Sequence, residues 1–335
     1  MELLINVYGF WARAPKSALA YARIGGGSPI NNFTTAQVSL VERQLHDLGY
    51  SNVKCYFAMR YWRPYFDEVI QQVAADQRNA LVFFPLYPHY SVSTTGSSLK
   101  EVDKFLQSAS KKRKLFGRAE IAHTTIPLWF QQPKYIRALS ALLLGEVFSF
   151  SREERQEGIH VLFSAHGVPV KYVQEGDPYQ EHIEETFALV QQEAARQLPH
   201  SPSSSSEEEE CPLIVAYSSQ QLEQCSADWA WLRFHLSYQS RVGPVEWLRP
   251  YTDERIVQLA TEGVRNLLVV PVSFVSDHIE TLEEMDHEYH ELALHSGIAH
   301  WRRCPALNTD PLFVSALADL AVSAEHRPLS HRQTN

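Results

Sequence analysis

Short runs rich in β-branched and aromatic residues alternate along this chain with longer stretches of helical periodicity, and this alternation limits the fold more than any other feature. The runs are VKCYFAM (53–59), ALVFFPL (80–86), AEIAHTT (119–125), IHVLFSA (159–165), RFHLSYQ (233–239) and NLLVVPVSF (266–274). Helical patterns lie between and beyond them, near 34–48, 64–77, 97–111, 132–144, 178–198, 252–263, 278–294 and 310–325. Strands joined by crossovers of this length pair in parallel, with helices covering both faces. The pattern predicts an α/β fold with mostly parallel sheets. This many strands over this length exceeds one doubly wound domain of usual size, so two sheets are expected.

The charged, weakly periodic GEVFSFSREERQEG (145–158) marks the expected boundary between a first domain over 1–150 and a second over 158–300. A C-terminal helix within 305–325 is expected to pack back on the first domain. PHSPSSSSEEEE (199–210) combines serine, proline and like charges, which oppose compaction, and reads as a disordered surface insertion.

The chain has 335 residues, 44% apolar and 21% charged, the balance of a soluble globular protein. With 30 Lys and Arg against 39 Asp and Glu the net charge is -9, which gives no support to nucleic-acid binding. The cysteines, Cys55, Cys211, Cys225 and Cys304, lack C-x-x-C spacing, so neither a zinc knuckle nor an iron–sulfur cluster is expected, and a reducing compartment suits them. No apolar run approaches the about 20 residues of a membrane-spanning helix. The opening residues lack the pattern of a secretory signal.

Four stretches join turn chemistry to polar groups at the ends of apolar runs. ARIGGGSPI (22–30) offers close backbone approach and Arg23 as an anion partner, without a phosphate-binding loop signature; a structural turn explains the glycines almost as well. FFPLYPHYSVSTTGSSL (83–99) brings Tyr87, His89 and Tyr90 to a strand end ahead of helix-capping hydroxyls, a combination suited to a flat ligand bearing carboxylates. LFSAHGVPV (162–170) sets His166 where a buried strand gives way to a loop, and Asp177-Pro178 then opens a helix near the same crevice. A histidine bonded only within its own loop is the plain alternative.

PVSFVSDHIETLEEMDHEYHEL (271–292) is the most informative stretch. A strand stops at a polar turn, and a helix opens near 276–278 with His278 and Glu280 at its mouth. Read with α-helical period, Glu280, Glu284 and Glu291 share one face, with Glu283 and His287 on a neighbouring stripe. Carboxylates in a row repel unless protons, water or a cation lie between them. Imidazole with carboxylate suits Fe²⁺, Zn²⁺ or Co²⁺. A solvated helix face is the alternative, above all for Glu283 and Glu288. Familiar hydrolase patterns, H-E-x-x-H and G-x-S-x-G, have no counterpart here.

Taken together, RAPKSALAYARIGGGSPI, MRYWRP, PLYPHYSVSTTGSSL, FSAHGVPVKYVQEGDPY, YQSRVGPVEWLRPYTDE, FVSDHIETLEEMDHEY and WRRCPALNTDP resemble the motifs of ferrochelatases, in order, over residues 13–193 and 234 to about 320. Ferrochelatases insert Fe²⁺ into a porphyrin, protoporphyrin IX, at the end of haem biosynthesis. The resemblance implies a chelatase-like fold of two Rossmann-like domains with the porphyrin between them. It implies that His166 is the catalytic histidine and Glu280 its partner carboxylate. His278 and Glu284 would support them, with His166, Glu280 and Glu284 meeting the metal. Arg60, Tyr61 and Tyr87 would line the porphyrin pocket, Arg23 would face a propionate, and Tyr8 would stand near the porphyrin face. Porphyrin and ferrous iron are the partners, with iron a substrate and no resident cofactor.

The match also implies a chain shortened ahead of RAPKS, where family members carry a first strand and a pocket lip. The motif wording is that of the cyanobacterial and plastid branch, which makes the chloroplast the first expected compartment, ahead of cytoplasm or mitochondrion. Peripheral membrane contact is compatible with the sequence, which sets no oligomeric state. The competing readings are a cobalt-inserting relative and a tetrapyrrole or metal carrier without turnover.

Overall fold

The computed structural model describes residue 15, residues 17–198 and residues 231–325. The expectations for Tyr8, the residues ahead of RAPKS, the insertion at 199–210, Cys211 and Cys225 lie outside the described residues.

After a helical turn over 17–23 and the glycine-rich bend, the described elements follow in chain order. They are α1 (Ile30–Asp47), α2 (Phe66–Ala75), β1 (Ala80–Phe83), α3 (Thr95–Gln107), α4 (Ala109–Phe116), β2 (Ala122–Thr125), α5 (Pro133–Phe148) and α6 (Arg152–Glu157). Next come β3 (Ile159–His166), α7 (Val170–Gln174), α8 (Tyr179–Gln197), β4 (Leu232–Gln239), α9 (Thr252–Thr261) and β5 (Asn266–Pro271). A π-helix (Glu280–Tyr289), α10 (His290–Ser296), β6 (His300–Arg303) and α11 (Pro311–Glu325) complete them. All described strand pairs are parallel, in a two-stranded sheet, β1–β2, and a four-stranded sheet ordered β4–β3–β5–β6. The fold is thus α/β with parallel sheets.

Burial explains the strand order. Ile159, Val161, Leu162, Phe163 and Ala165 of β3 and Leu267, Leu268, Val269 and Val270 of β5 are 0% exposed, so both strands carry apolar side chains on both faces and take the sheet centre. One face packs on α5 and α8, where the main core runs from Val41 of α1 through Leu143 to Phe163 and Phe313. The other packs Leu162, Leu267 and Val269 on Ile256, Leu259 and Met285. The α11 helix rests on α1, α5, β1 and β2, so the largest apolar core is continuous between the two sheets.

The structure departs from the sequence reading at several elements, including the short helices α6 and α7, which the sequence reading did not foresee. Residues 53–59 form no strand; Met59 alone makes an isolated bridge, to Tyr65. The β6 strand went unforeseen because HWRR carries no alternating apolar pattern, as befits an edge. The helix expected over 97–111 breaks at Ser108, whose hydroxyl caps the next helix at the Lys111 amide, 3.3 Å away. The α-helix expected over 278–294 is a π-helix up to Tyr289.

Leu143 of α5 is 0% exposed within the core shared by both sheets. Leu143→Ala should lower the unfolding free energy by about 2–5 kcal/mol in urea denaturation. Circular dichroism and tryptophan fluorescence should report one coincident transition, because the shared core leaves neither sheet to unfold alone.

Candidate active site at the ends of β3, β4 and β5

Parallel pairing brings several strand ends to one edge. His166 stands opposite Gln239 in β4, and Ser164 stands opposite Pro271 in β5, so the loops that follow all leave the same side of the sheet. The backbone N–H of His166 donates to Ser273 Oγ at 2.9 Å, and the buried Tyr179 hydroxyl donates to the His166 carbonyl at 2.9 Å. Ser273 Oγ also lies 2.7 Å from that hydroxyl, which closes a ring of hydrogen bonds behind the imidazole. Gly167 has no room for a side chain: a Cβ would sit 2.8 Å from the Gln239 carbonyl and 3.2 Å from the Trp247 ring.

The tautomer of His166 follows from its neighbour. Nδ1 lies 2.7 Å from the Gly167 carbonyl, which only accepts, so Nδ1 carries the proton and Nε2 presents a lone pair. That lone pair faces Glu280 Oε2 at 3.5 Å. His278 repeats the arrangement, with Nδ1 3.2 Å from the Ser276 carbonyl and Nε2 3.9 Å from Glu280 Oε1. Burial lowers the proton affinity of His278. Two lone pairs thus converge on one carboxylate, an arrangement that attracts a proton or a Lewis-acidic cation.

Ser240 joins Glu280 to Glu284. Its backbone is left-handed, φ 62°, and its Oγ lies 3.1 Å from Glu280 Oε2 and 2.8 Å from Glu284 Oε2. One hydroxyl proton serves one of these acceptors at a time. Glu284 is better supplied: Tyr289 donates to Oε1 at 2.7 Å and the Gln239 amide to Oε2 at 3.2 Å. The amide is oriented by Ser164, whose hydroxyl donates to Gln239 Oε1 at 2.6 Å. Burial nevertheless raises Glu284 above the usual carboxylate range, with the Tyr289 and Ser240 hydrogen bonds opposing that rise.

The π-helix contributes directly. Its wider turn aligns residues four and five apart, so Glu280, Glu284 and Tyr289 share a face. Glu283 departs from the solvated face expected of it: it is buried, and its Oε1 accepts from Arg23 Nη1 at 3.1 Å. Arg23, expected to face a substrate carboxylate, is thus paired within the chain, with its side chain 53% exposed. Glu291 is exposed.

Arg60 and Tyr61 come together around Ser97 of α3. Arg60 Nε donates to Ser97 Oγ at 3.1 Å, the Tyr61 hydroxyl lies 3.2 Å from the same oxygen, and the guanidinium rests over the Tyr61 ring at 4.9 Å. Tyr61 and Trp62 are 72% and 70% exposed, and Tyr87, close enough for its hydroxyl to sense that of Tyr61, is 38% exposed. His89 is in the core instead: stacked on Phe130 and bonded to Thr186, it is driven by burial down to about 3, a neutral structural group. Asp177 fastens this loop to the His166 side, accepting from the Ser91 hydroxyl and the Val92 amide at 2.8 Å each and from the Tyr179 amide at 3.0 Å.

Past β4, Val242 and Val245 stand exposed on a loop that β-bridges Trp247 to Pro169. Exposed aromatic side chains thus gather around Ser97, and exposed valines stand on the loop that bridges to Pro169, three residues past His166. Two pockets lie elsewhere, one of about 420 Å³ between α10 and β6 and one of about 380 Å³ between α1 and α2, and neither includes a residue expected to bind porphyrin or metal. Among the described residues no three acidic, imidazole or thiol groups close into a metal cage.

Sequence reasoning missed Ser240, Gln239, Ser273 and Tyr289. The first two sit inside YQSRVGP, a motif noticed without roles, and only the sheet register aims them at Glu284.

Replacing Glu284 by glutamine should show its raised proton affinity. Its pKa is higher folded than unfolded, so the wild type loses stability as pH rises through that folded value. The stability of Glu284→Gln relative to wild type should therefore increase from pH 4 to pH 8 in urea melts. Gly167→Ala should cost about 1–3 kcal/mol, because the Gln239 backbone must move to admit the new carbon.

The family model described as Ferrochelatase matches residues 1–325. The chain is 42% identical over 317 residues to a ferrochelatase of Nostoc sp. (strain PCC 7120 / SAG 25.82 / UTEX 2576), covering 94% of this chain and 70% of that one. It is 44% identical over 309 residues to a ferrochelatase of Synechococcus sp. (strain JA-3-3Ab), covering 92% and 78%. To the chloroplastic ferrochelatase-2 of Arabidopsis thaliana it is 42% identical over 314 residues, covering 93% of this chain and 53% of that one. Among solved structures, SirB from Bacillus subtilis with Fe³⁺ superposes with a TM-score of 0.51 at 9% identity, over 88% of this chain and 90% of that one, a likeness of fold. With strand ends, paired imidazole and carboxylate, and family model in agreement, the chain belongs to the ferrochelatase family.

Proposed function

We propose that this chain inserts Fe²⁺ into a porphyrin, protoporphyrin IX, to form haem and release two protons. The observation that carries the reading is the facing of His166 Nε2 and Glu280 Oε2 across 3.5 Å, each delivered by a different strand end. The membership in the ferrochelatase family supports it. Iron is a substrate in this reading.

The reaction requires that two pyrrole N–H protons leave while the cation sheds water and meets four ring nitrogens. His166 Nε2, with Nδ1–H committed to the Gly167 carbonyl, takes one pyrrole proton, becomes an imidazolium beside Glu280, passes the proton on through the carboxylates to water and then accepts the second. Glu280, one oxygen toward each histidine, either stabilises that charge or holds the arriving Fe²⁺. Glu284, linked through the shared Ser240 hydroxyl, extends the acidic path outward. The exposed Tyr61, Trp62, Tyr87, Val242 and Val245 offer flat and apolar surfaces for the macrocycle. Binding energy gathered there bends the ring and exposes its nitrogen lone pairs.

We further propose a plastid location, supported by chloroplastic relatives such as that of Arabidopsis thaliana, and a first domain over 1–150 completed by α11, with the second over 158–300.

His166→Ala should lower metalation of protoporphyrin by Fe²⁺, followed anaerobically through the visible absorption bands, by about 10²–10⁴-fold. Porphyrin binding, read from fluorescence quenching, should persist. Wild-type turnover in the variant would remove the imidazole from the reaction.

A further inference from the structure

We propose that Arg303 is a positioning residue for the metal-side wall, clamping the turn that carries His278 and Glu280; this rests on the reading of His166 and Glu280 as the metal-inserting pair. Arg303 ends the edge strand β6. Its Nη1 donates to Asp277 Oδ1 at 2.8 Å, while Nε and Nη2 donate to the two oxygens of Asp286 at 2.7 and 3.0 Å. Asp277 immediately precedes His278, and Asp286 lies inside the π-helix, so one planar group grips the chain on both sides of Glu280. The Arg303 and Asp277 side chains are 10% and 8% exposed, which shields the pair from water and salt.

Asn308 and Gln37 extend the clamp. Asn308 Nδ2 donates to Asp277 Oδ2 at 2.7 Å, and its Oδ1 accepts the Asp277 backbone N–H at 2.8 Å. Gln37, on α1, donates to Ser276 Oγ at 2.9 Å and to the Asn308 carbonyl at 2.7 Å. Ser276 and Asp277 are thereby both fixed from outside the turn, and His278 follows with its Nδ1 bonded to the Ser276 carbonyl. A guanidinium holds two carboxylates at once because its donors form a rigid fork. Lysine supplies charge from a single point and cannot span both.

The neighbouring Arg302 provides the comparison. It shares β6 but binds Glu146 at 3.5 Å and the Ser149 carbonyl at 2.9 Å, away from the turn. In the full chain, Arg303→Lys should lower kcat for Fe²⁺ insertion about tenfold or more, as a small displacement of reacting groups does, and leave KM for porphyrin within about twofold. Asp286→Asn should act in the same direction, and Arg302→Lys should keep wild-type kcat. The ring ¹⁵N signals of His278 should shift in Arg303→Lys and stay in place in Arg302→Lys. Wild-type kcat in both Arg303→Lys and Asp286→Asn, whatever their melting temperatures, would overturn the proposal. Should Arg303→Lys fail to fold, unchanged kcat in Asp286→Asn overturns it alone. A wild-type chain that binds porphyrin without metalating it would instead sink the functional reading; the His278 signals in Asp286→Asn then decide the clamp, and unshifted signals reject it.

Discussion

The register of β3 between β4 and β5 governs everything that follows it in space. Because side chains alternate along a strand, a slip of one residue would turn Val161 and Phe163 from one core to the other and swing the imidazole of His166 to the wrong face of the sheet. Apolar side chains fully buried on both faces penalise any such slip. The same register stations Gln239 and Ser240 at the level of His166 and starts the Ser273–Glu280 segment beside them. His166 and Gln239 are therefore the last residues of their strands, and Glu280 and Glu284 reach them from the π-helix that follows β5.

Donor supply then separates two acids that composition alone would treat as equals. Glu284 receives hydroxyls and an amide, an arrangement that keeps it in place despite burial. Glu280 shares one hydroxyl and otherwise faces two imidazole nitrogens, and among the described residues no lysine or arginine pairs with it. A reaction that releases protons and consumes a cation supplies both kinds of charge at that point. Arg23, the obvious neutralising group, is diverted to Glu283 on the adjoining stripe of the π-helix. The site is thus electrostatically hungry in one place and satisfied around it.

Much of the fold was legible because its signals are local. The runs that became β1 to β5 and most helices show their periods in the letters, and the turn grammar of HGVP and DHIE marked where chemistry would stand. The failures share a cause as well. Residues 53–59 have strand composition, yet a strand exists only with a partner, and Cys55 has its amide taken by the Glu42 side chain instead. HWRR has edge composition, yet Trp301 pairs with Leu267 because β5 offers a free edge. Helical period cannot be told as α or π from the spacing of acids; the Tyr289–Glu284 hydrogen bond, five residues apart, belongs to the wider coil.

The sequence by itself determined an α/β chain with parallel strands, placed an imidazole and a row of acids at strand and helix ends, and carried enough ordered motifs to resemble its family. Those properties reside in residue types and in short spacings. The tertiary structure decided which nitrogen of His166 is free, which acid is starved of donors, where Arg23 spends its charge and what grips the His278 turn. Apart from the His166 tautomer, set by the adjacent Gly167 carbonyl, these depend on groups up to 271 residues apart in the chain, as Gln37 and Asn308 are. Hydrogen bonds and ion pairs of that kind form only after the apolar strands have fixed the distances between them.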